Sequence, residues 1–344
     1  MSHQTVRQLK PRIGITIGDL NGIGPEVIIK VLRDARILNY ITPIIYGSTK
    51  ALSYYRKSLR MEDFQYGQVK EGGKFIEKKV NVVNCWQDMI EINAGTDSKE
   101  VGKAALMAIQ KSVQDIKNGI IDAIVTAPIN KNNIQGEGFD FPGHTEYFTH
   151  TFETKDSLML MASDDLKIGT VTGHLPLKEV SKKITKENVT SKLVILEQTL
   201  KSDFGINKPK IAVLGLNPHA GEAGLLGFEE DKIIRPVVEQ LKNKGKLVFG
   251  PFPADGFFGK GEYKKFDSIL AMYHDQGLIP FKTIVFQQGV NYTAGLPIIR
   301  TSPDHGTAYS IAGKNVADES SMRSAILMAY DIFKNRRELV KEKS

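Results

Sequence analysis

Short apolar runs that stop abruptly in turn-forming residues constrain this chain most, because strands of that kind are covered on both faces in layered α/β proteins. The clearest is Ser268-Ile-Leu-Ala-Met-Tyr-His274-Asp275-Gln-Gly277, where a strand-like segment gives way to a histidine, a carboxylate and a glycine. Two further histidines follow similar runs. His174 comes after Lys167-Ile-Gly-Thr-Val-Thr-Gly173, and His219 after Lys210-Ile-Ala-Val-Leu-Gly-Leu-Asn-Pro218. Ligands of open α/β sheets collect at the carboxyl ends of strands, so three histidines delivered this way point to one site.

Strand and helix patterns alternate nearly from end to end, which predicts α/β layering with a largely parallel sheet. Strands are expected over residues 12–17, 42–46, 80–86, 121–127, 158–162, 166–172, 210–215, 246–249 and 267–272. Helices are expected over 25–38, from 48, from about 96 to Gly119, over 184–200, 229–243 and 319–337. The charged segment 56–79 reads as peripheral loop and edge. A chain of 344 residues exceeds what one core sustains, about 250–300 residues. Two domains follow, placed at 1–130 with 285–344, and at 131–284.

Composition narrows the partners. With 41% hydrophobic and 25% charged residues, the chain is ordinary globular protein. Lys and Arg total 46 against 39 Asp and Glu, a formal +7. The cations are scattered, without a basic block interleaved with aromatics, which excludes a nucleic-acid partner and leaves a mild attraction for anionic metabolites. The single cysteine, Cys85, can form no internal disulfide and implies a reducing compartment. Residues 1–10 hold no apolar run, and no stretch reaches the length of a membrane span, so a cytoplasmic location with no membrane contact is expected.

Three neutral imidazoles with an open fourth position are the usual protein share of a catalytic zinc site, and they also suit cobalt, nickel or iron. A single histidine is more often a packing or capping residue, and the spacing here matches no short metal motif. Donors suited to an anion are His144 and Thr145 at a predicted helix N-terminus, Lys282, Asn291 and Arg300. The alternative is that Thr145 caps its helix while Lys282 and Arg300 are solvated. Gly18-x-x-x-Gly22-x-Gly24 is neither a Rossmann fingerprint nor a Walker loop, and the turn can equally be a tight strand-to-helix connection. No Gly-x-Ser-x-Gly elbow occurs, and Cys85 has no neighbouring base in the sequence.

Seven segments together carry a resemblance: Gly22-Ile-Gly-Pro-Glu26, Thr126-Ala-Pro-Ile-Asn-Lys131, Gly143-His-Thr-Glu146, His174-Leu-Pro-Leu177, Gly215-Leu-Asn-Pro-His-Ala-Gly-Glu222, Ala271-Met-Tyr-His-Asp-Gln-Gly277, and Gly295-Leu-Pro-Ile-Ile-Arg-Thr-Ser302 followed by Asp304-His-Gly-Thr307. Over nearly its whole length the chain resembles the 4-hydroxythreonine-4-phosphate dehydrogenase family of pyridoxal-phosphate biosynthesis. The resemblance implies the two-domain, non-Rossmann fold of isocitrate and isopropylmalate dehydrogenases. It implies that His174, His219 and His274 bind one divalent metal per subunit (zinc, with magnesium or cobalt as alternatives), shared across a homodimer whose interface holds the active site. It also implies that His144, Thr145, Lys282, Asn291 and Arg300 hold a small phosphorylated substrate, and that Lys282 and Asp255 are catalytic.

The stretch from His305 to Ala317 is similar to the cofactor loop of that superfamily, which assigns His305, Gly306, Thr307, Ala312, Gly313 and Asn315 to NAD or NADP. The implied reaction oxidises the C3 hydroxyl of 4-phosphooxy-L-threonine, and β-decarboxylation then yields 3-amino-2-oxopropyl phosphate. Alternatives are the oxidative decarboxylation of D-threonate or D-erythronate 4-phosphate and, more distantly, a phosphate acyltransferase. One departure stands out: the family commonly has Pro-Ala before Gly-Ile-Gly-Pro-Glu, and this chain has Leu20-Asn21.

Overall fold

The computed structural model describes residues 10–70, 72–136 and 139–343; the N-terminal segment read above as lacking an apolar run lies outside them, Lys10 excepted. Twelve strands are described, in chain order β1 (Arg12–Thr16), β2 (Thr42–Gly47), β3 (Tyr66–Val69), β4 (Val80–Asn84), β5 (Ala123–Thr126), β6 (Leu158–Ala162), β7 (Lys167–Thr170), β8 (Ile211–Leu214), β9 (Val248–Phe252), β10 (Ser268–Ala271), β11 (Val290–Ala294) and β12 (Arg300–Pro303). The chain divides into two compact units, residues 1–140 with 298–333, and residues 141–297 with 334–344. These limits lie beyond the expected 131 and 285, because β11 pairs antiparallel with β6 and so belongs with the second unit.

In the first unit the strands run β3-β4-β2-β1-β5-β12, all parallel. β2 and β5 are buried along their whole length, as continuous apolar strands between helical layers should be. The segment expected as irregular edge does supply the edge strand β3. Cys85 lies just past β4 rather than inside it, and its N–H bonds to the Gly47 carbonyl at 2.8 Å. The helix Lys99–Lys117 buries Val101, Ala105, Ile109 and Val113 on one face and is closed by Gly119 at φ 66.

The second unit runs β11-β6-β7-β10-β8-β9, antiparallel at β11/β6 and β6/β7 and parallel elsewhere. One face buries Met161, Ile168, Leu214, Ile269 and Ala271 against Phe257, Leu278 and Phe281. Each of the larger side chains contributes about 1.5–3 kcal/mol on leaving water.

Three expectations change here. Residues 274–284 form a helix that the sequence reading missed, because His-Asp-x-Gly was taken as a turn only. Gly277 lets that helix settle on the sheet, since a Cβ there would lie 3.0 Å from Ile168 Cγ2 and 3.2 Å from Ala271 Cβ. The helix expected at 229–243 begins as a π-turn, Glu230–Ile234, before Arg235–Asn243. β9 starts two residues later than expected, at Val248.

Candidate active site

β7, β10 and β8 are neighbouring parallel strands of the second unit, so the loops leaving their carboxyl ends emerge side by side. These loops carry His174, His274 and His219 respectively. His174 and His274 are brought together, with ring centroids 5.5 Å apart and planes inclined at 44°. Each also has a carboxylate near its Nδ1, within hydrogen-bonding distance at His274. Asp275 Oδ1 lies 2.7 Å from that of His274, and Glu146 Oε1 lies 3.7 Å from that of His174. An imidazole held through Nδ1 by a carboxylate presents Nε2 as a ligand, which is the usual outer arrangement of metal-binding histidines. The donor chemistry therefore fits a divalent metal at this pair. Neither carboxylate had been assigned a role from sequence, although both sit within the motifs that carry the resemblance.

His219 is presented differently. It lies in the turn Pro218–Gly224, where His219, Ala220, Gly221, Glu222 and Ala223 are all left-handed, at φ between 43 and 81. For a non-glycine residue that conformation costs about 1–2 kcal/mol, so the surroundings must hold it. The buried Glu230 carboxylate does so by accepting the Asn217 N–H at 2.7 Å and its Nδ2 at 3.0 Å. The turn packs on that carboxylate so closely that a Cβ on Gly221 would lie 2.7 Å from Glu230 Oε2. Among the described residues of the single chain, no group of three or more His, Cys, Asp or Glu side chains is close enough to hold an ion. His174 and His274 thus form a pair to which His219 is not joined. Asp255 is exposed, in the first turn of the helix Ala254–Gly259, which packs beside the His219 turn.

The anion donors of this unit fall in two places. His144 and Thr145 open the helix His144–Thr151, whose cap position is Gly143, so Thr145 is not the cap that the sequence left open. Thr145 Oγ1 lies 3.5 Å from Thr293 Oγ1. Asn291 is two residues from Thr293 on β11 and therefore shares its face of the strand. Glu146 brings a carboxylate of this helix start to 3.7 Å from His174 Nδ1. Lys282 stands in the last turn of the helix that begins with His274, about 12 Å further along its axis at 1.5 Å per residue.

In the first unit Arg300 is 2% exposed, which removes the alternative of a solvated side chain, and it donates to Thr126 Oγ1 at 2.6 Å. The loop after β12 holds the remaining predicted residues. Gly306, Gly313 and Asn315 are exposed, His305 and Thr307 are half-buried and Ala312 is buried. Ala308, Gly313 and Asn315 are left-handed, and the Ile311, Ala312 and Lys314 N–H groups bond to the Ala308, Tyr309 and Ile311 carbonyls within the loop.

The Gly22-Ile-Gly-Pro-Glu26 segment acts as the clasp of that loop. The Ile23 N–H donates to the Thr307 carbonyl at 3.0 Å, and Glu26 Oε1 accepts the Ala317 N–H at 2.9 Å. Lys30, paired with Glu26 at 2.8 Å, donates to the Ala317 carbonyl. Tyr309 anchors the middle by donating to Asp19 Oδ2 at 2.7 Å and accepting from Asn130. Burial pushes its phenol pKa up, and the Asp19 carboxylate adds to this.

The unusual Asn21 has its own task. Its Oδ1 accepts the Asn93 N–H at 2.9 Å, and its Nδ2 donates to the Thr96 carbonyl at 3.0 Å. It thereby fixes the segment against which the Tyr309 backbone packs at Gly95.

Residues 39–329 match the family model described as pyridoxal phosphate biosynthetic protein PdxA. A relative from Bacteroides thetaiotaomicron, named 4-hydroxythreonine-4-phosphate dehydrogenase, is 50% identical over 95% of this chain and 90% of its own length. One from Oceanobacillus iheyensis, whose name gives D-threonate 4-phosphate dehydrogenase as a provisional assignment, is 40% identical over 94% of this chain and 98% of its own. The crystal structure of 4-hydroxythreonine-4-phosphate dehydrogenase from Klebsiella pneumoniae superposes with a TM-score of 0.78 at 34% identity, covering 94% of this chain and 98% of that one.

Proposed function

The chain belongs to the pyridoxal phosphate biosynthetic protein PdxA family, and from that membership we propose that it is a dehydrogenase oxidising the C3 hydroxyl of 4-phosphooxy-L-threonine, with loss of the carboxylate as carbon dioxide. The observation that carries the metal-dependent part is the pair His174 and His274, the latter with the Asp275 carboxylate hydrogen-bonded at Nδ1. When bound, a divalent metal supplies Lewis acidity toward oxygen and a nicotinamide ring supplies a hydride acceptor.

The chain's own residues do the rest. Asp275 holds the His274 imidazole in the tautomer that leaves Nε2 available, and Glu146 stands 3.7 Å from the His174 Nδ1. His219 would complete the set within a homodimer that shares the metal, as the family resemblance implies. At the start of the helix His144–Thr151, amide groups and the positive end of the helix dipole favour an anionic substrate group, with Thr145 and Asn291 as neutral donors. Lys282 would clamp the phosphate or carry the proton released from the hydroxyl, and Asp255 would serve as a further proton-transfer group. Arg300 supplies a buried guanidinium suited to a carboxylate or phosphate. The loop 305–315 would take NAD or NADP. Oxidation at C3 places a ketone β to the carboxylate, which is why carbon dioxide then leaves readily.

D-threonate 4-phosphate is the competing substrate, favoured by the name of the Oceanobacillus relative. The test is formation of reduced nicotinamide from each substrate by zinc-loaded, chelator-treated, His174→Ala and His274→Ala protein. Turnover of 4-phosphooxy-L-threonine that is lost in all three impaired samples is expected. Full turnover after both chelation and His274→Ala would defeat the metal-dependent reading, and a preference for D-threonate 4-phosphate would reassign the substrate.

A further inference from the structure

We propose that Gln276 is a positioning residue for the metal ligands, its carboxamide fastening together the strand ends from which His219 and His274 depart. The inference rests on the reading of these histidines as metal ligands. It concerns a side chain to which neither the resemblance nor the histidine pattern gives a role.

The link is a continuous run of hydrogen bonds. The Met272 carbonyl, two residues before His274, accepts the Thr172 N–H at 3.2 Å and the Thr172 hydroxyl at 2.9 Å, and Thr172 lies two residues before His174. The Met272 N–H donates to Gln276 Oε1 at 2.7 Å. Gln276 Nε2 in turn donates to the Gly215 carbonyl at 2.6 Å, four residues before His219. Gln276 therefore joins the strand ends that precede His274 and His219, and the Thr172 bonds join the strand end that precedes His174 to the former. Beyond the Leu270–Val213 pair β8 and β10 no longer bond to each other, and Gln276 supplies the connection that their ladder no longer makes.

The chemistry needs an amide. Its oxygen faces an N–H and its nitrogen faces a carbonyl, so the flipped arrangement would set like against like at both ends. A glutamate of the same length could still accept from Met272 but would turn an oxygen toward the Gly215 carbonyl. A leucine could do neither. Gln276 also lies two residues beyond His274 on their shared helix, about 200° around it at 3.6 residues per turn, so its amide does not compete with the imidazole for a metal.

Replacement should loosen the loops that present His274 and His219 without removing either histidine. Loss of a group that orients metal ligands typically weakens metal affinity about 10–100-fold.

The measurement is the zinc dissociation constant of full-length protein by competition with a chromophoric chelator, together with the visible absorption of the cobalt-substituted protein. Parent, Gln276→Leu, Gln276→Glu and His174→Ala are compared, and the thermal midpoint of each metal-free protein is recorded. Expected is an affinity loss of about 10–100-fold in Gln276→Leu, with altered cobalt bands in both Gln276 variants. Gln276→Glu keeps the Met272 contact and gives the answer should the leucine variant not fold. Parent-like zinc affinity and cobalt bands in the folded Gln276 variants, with a loss in His174→Ala, overturn the proposal, even if their thermal midpoints fall. Parent-like affinity in His174→Ala removes the metal reading itself and this inference with it.

Discussion

Arg336 should be the side chain whose loss most damages the second unit. Its guanidinium donates to both oxygens of Asp203, at 2.7 and 3.1 Å, and to the Tyr292 hydroxyl at 3.0 Å, while Tyr292 itself donates to Asp203 at 2.5 Å. Asp203 is 2% exposed and Tyr292 fully buried. Arg336→Leu strands a buried carboxylate. Breaking one side of a buried pair costs about 3–5 kcal/mol, and because the Arg336 side chain is 26% exposed the low end, about 3 kcal/mol, applies. For a unit of this size that corresponds to a thermal midpoint roughly 6–12 °C lower.

Adding Asp203→Asn to Arg336→Leu removes the stranded charge and should restore part of the loss. Burial, with the Asp203 carboxylate beside it, also pushes the Tyr292 phenol pKa well above its ordinary value. A raised folded pKa contributes stability below about pH 10 that is lost as pH rises through the ordinary phenol range. Tyr292→Phe should therefore flatten the alkaline limb. Circular-dichroism melts across pH test both claims. An Arg336→Leu midpoint within about 2 °C of the parent, or a double variant no better than the single one, would refute the reasoning, since a buried pair cannot be broken that cheaply.

Asn21→Ala removes a buried amide that accepts from Asn93 and donates to Thr96, a loss of about 1–3 kcal/mol. Because that segment backs the Tyr309 loop, dinucleotide affinity measured by calorimetry should fall about tenfold with kcat little changed; an unchanged affinity would dissociate Asn21 from the loop. Burial pushes the Cys85 thiol up to about 12. At pH 8 its thiolate fraction is then about one in ten thousand, against roughly a quarter for an ordinary cysteine. Iodoacetamide should accordingly label native protein very slowly and unfolded protein fully, and rapid native labelling would contradict the burial.

What the sequence made legible was periodic or chemically loud. Continuous apolar runs marked the parallel strands, helical spacing marked Lys99–Lys117, and histidines after strands marked one edge of the second unit's sheet. The helix His274–Ile284 escaped because its opening residues are turn formers and it carries Pro280 inside it, so local preference argued against what tertiary packing of Leu278 and Phe281 imposes.

Long-range pairings left no trace that spacing could reveal. Glu230 is thirteen residues from the amide it holds, Gln276 sixty-one from Gly215, and Glu26 almost three hundred from Ala317. All three use an ordinary polar side chain to satisfy backbone groups where the chain leaves regular structure, and such groups must be paired when buried. The chemistry of this fold is thus divided between residues that a sequence advertises, the histidines, and residues that only a folded chain identifies. Gln276 is of the second kind, joining the strand ends that precede His219 and His274.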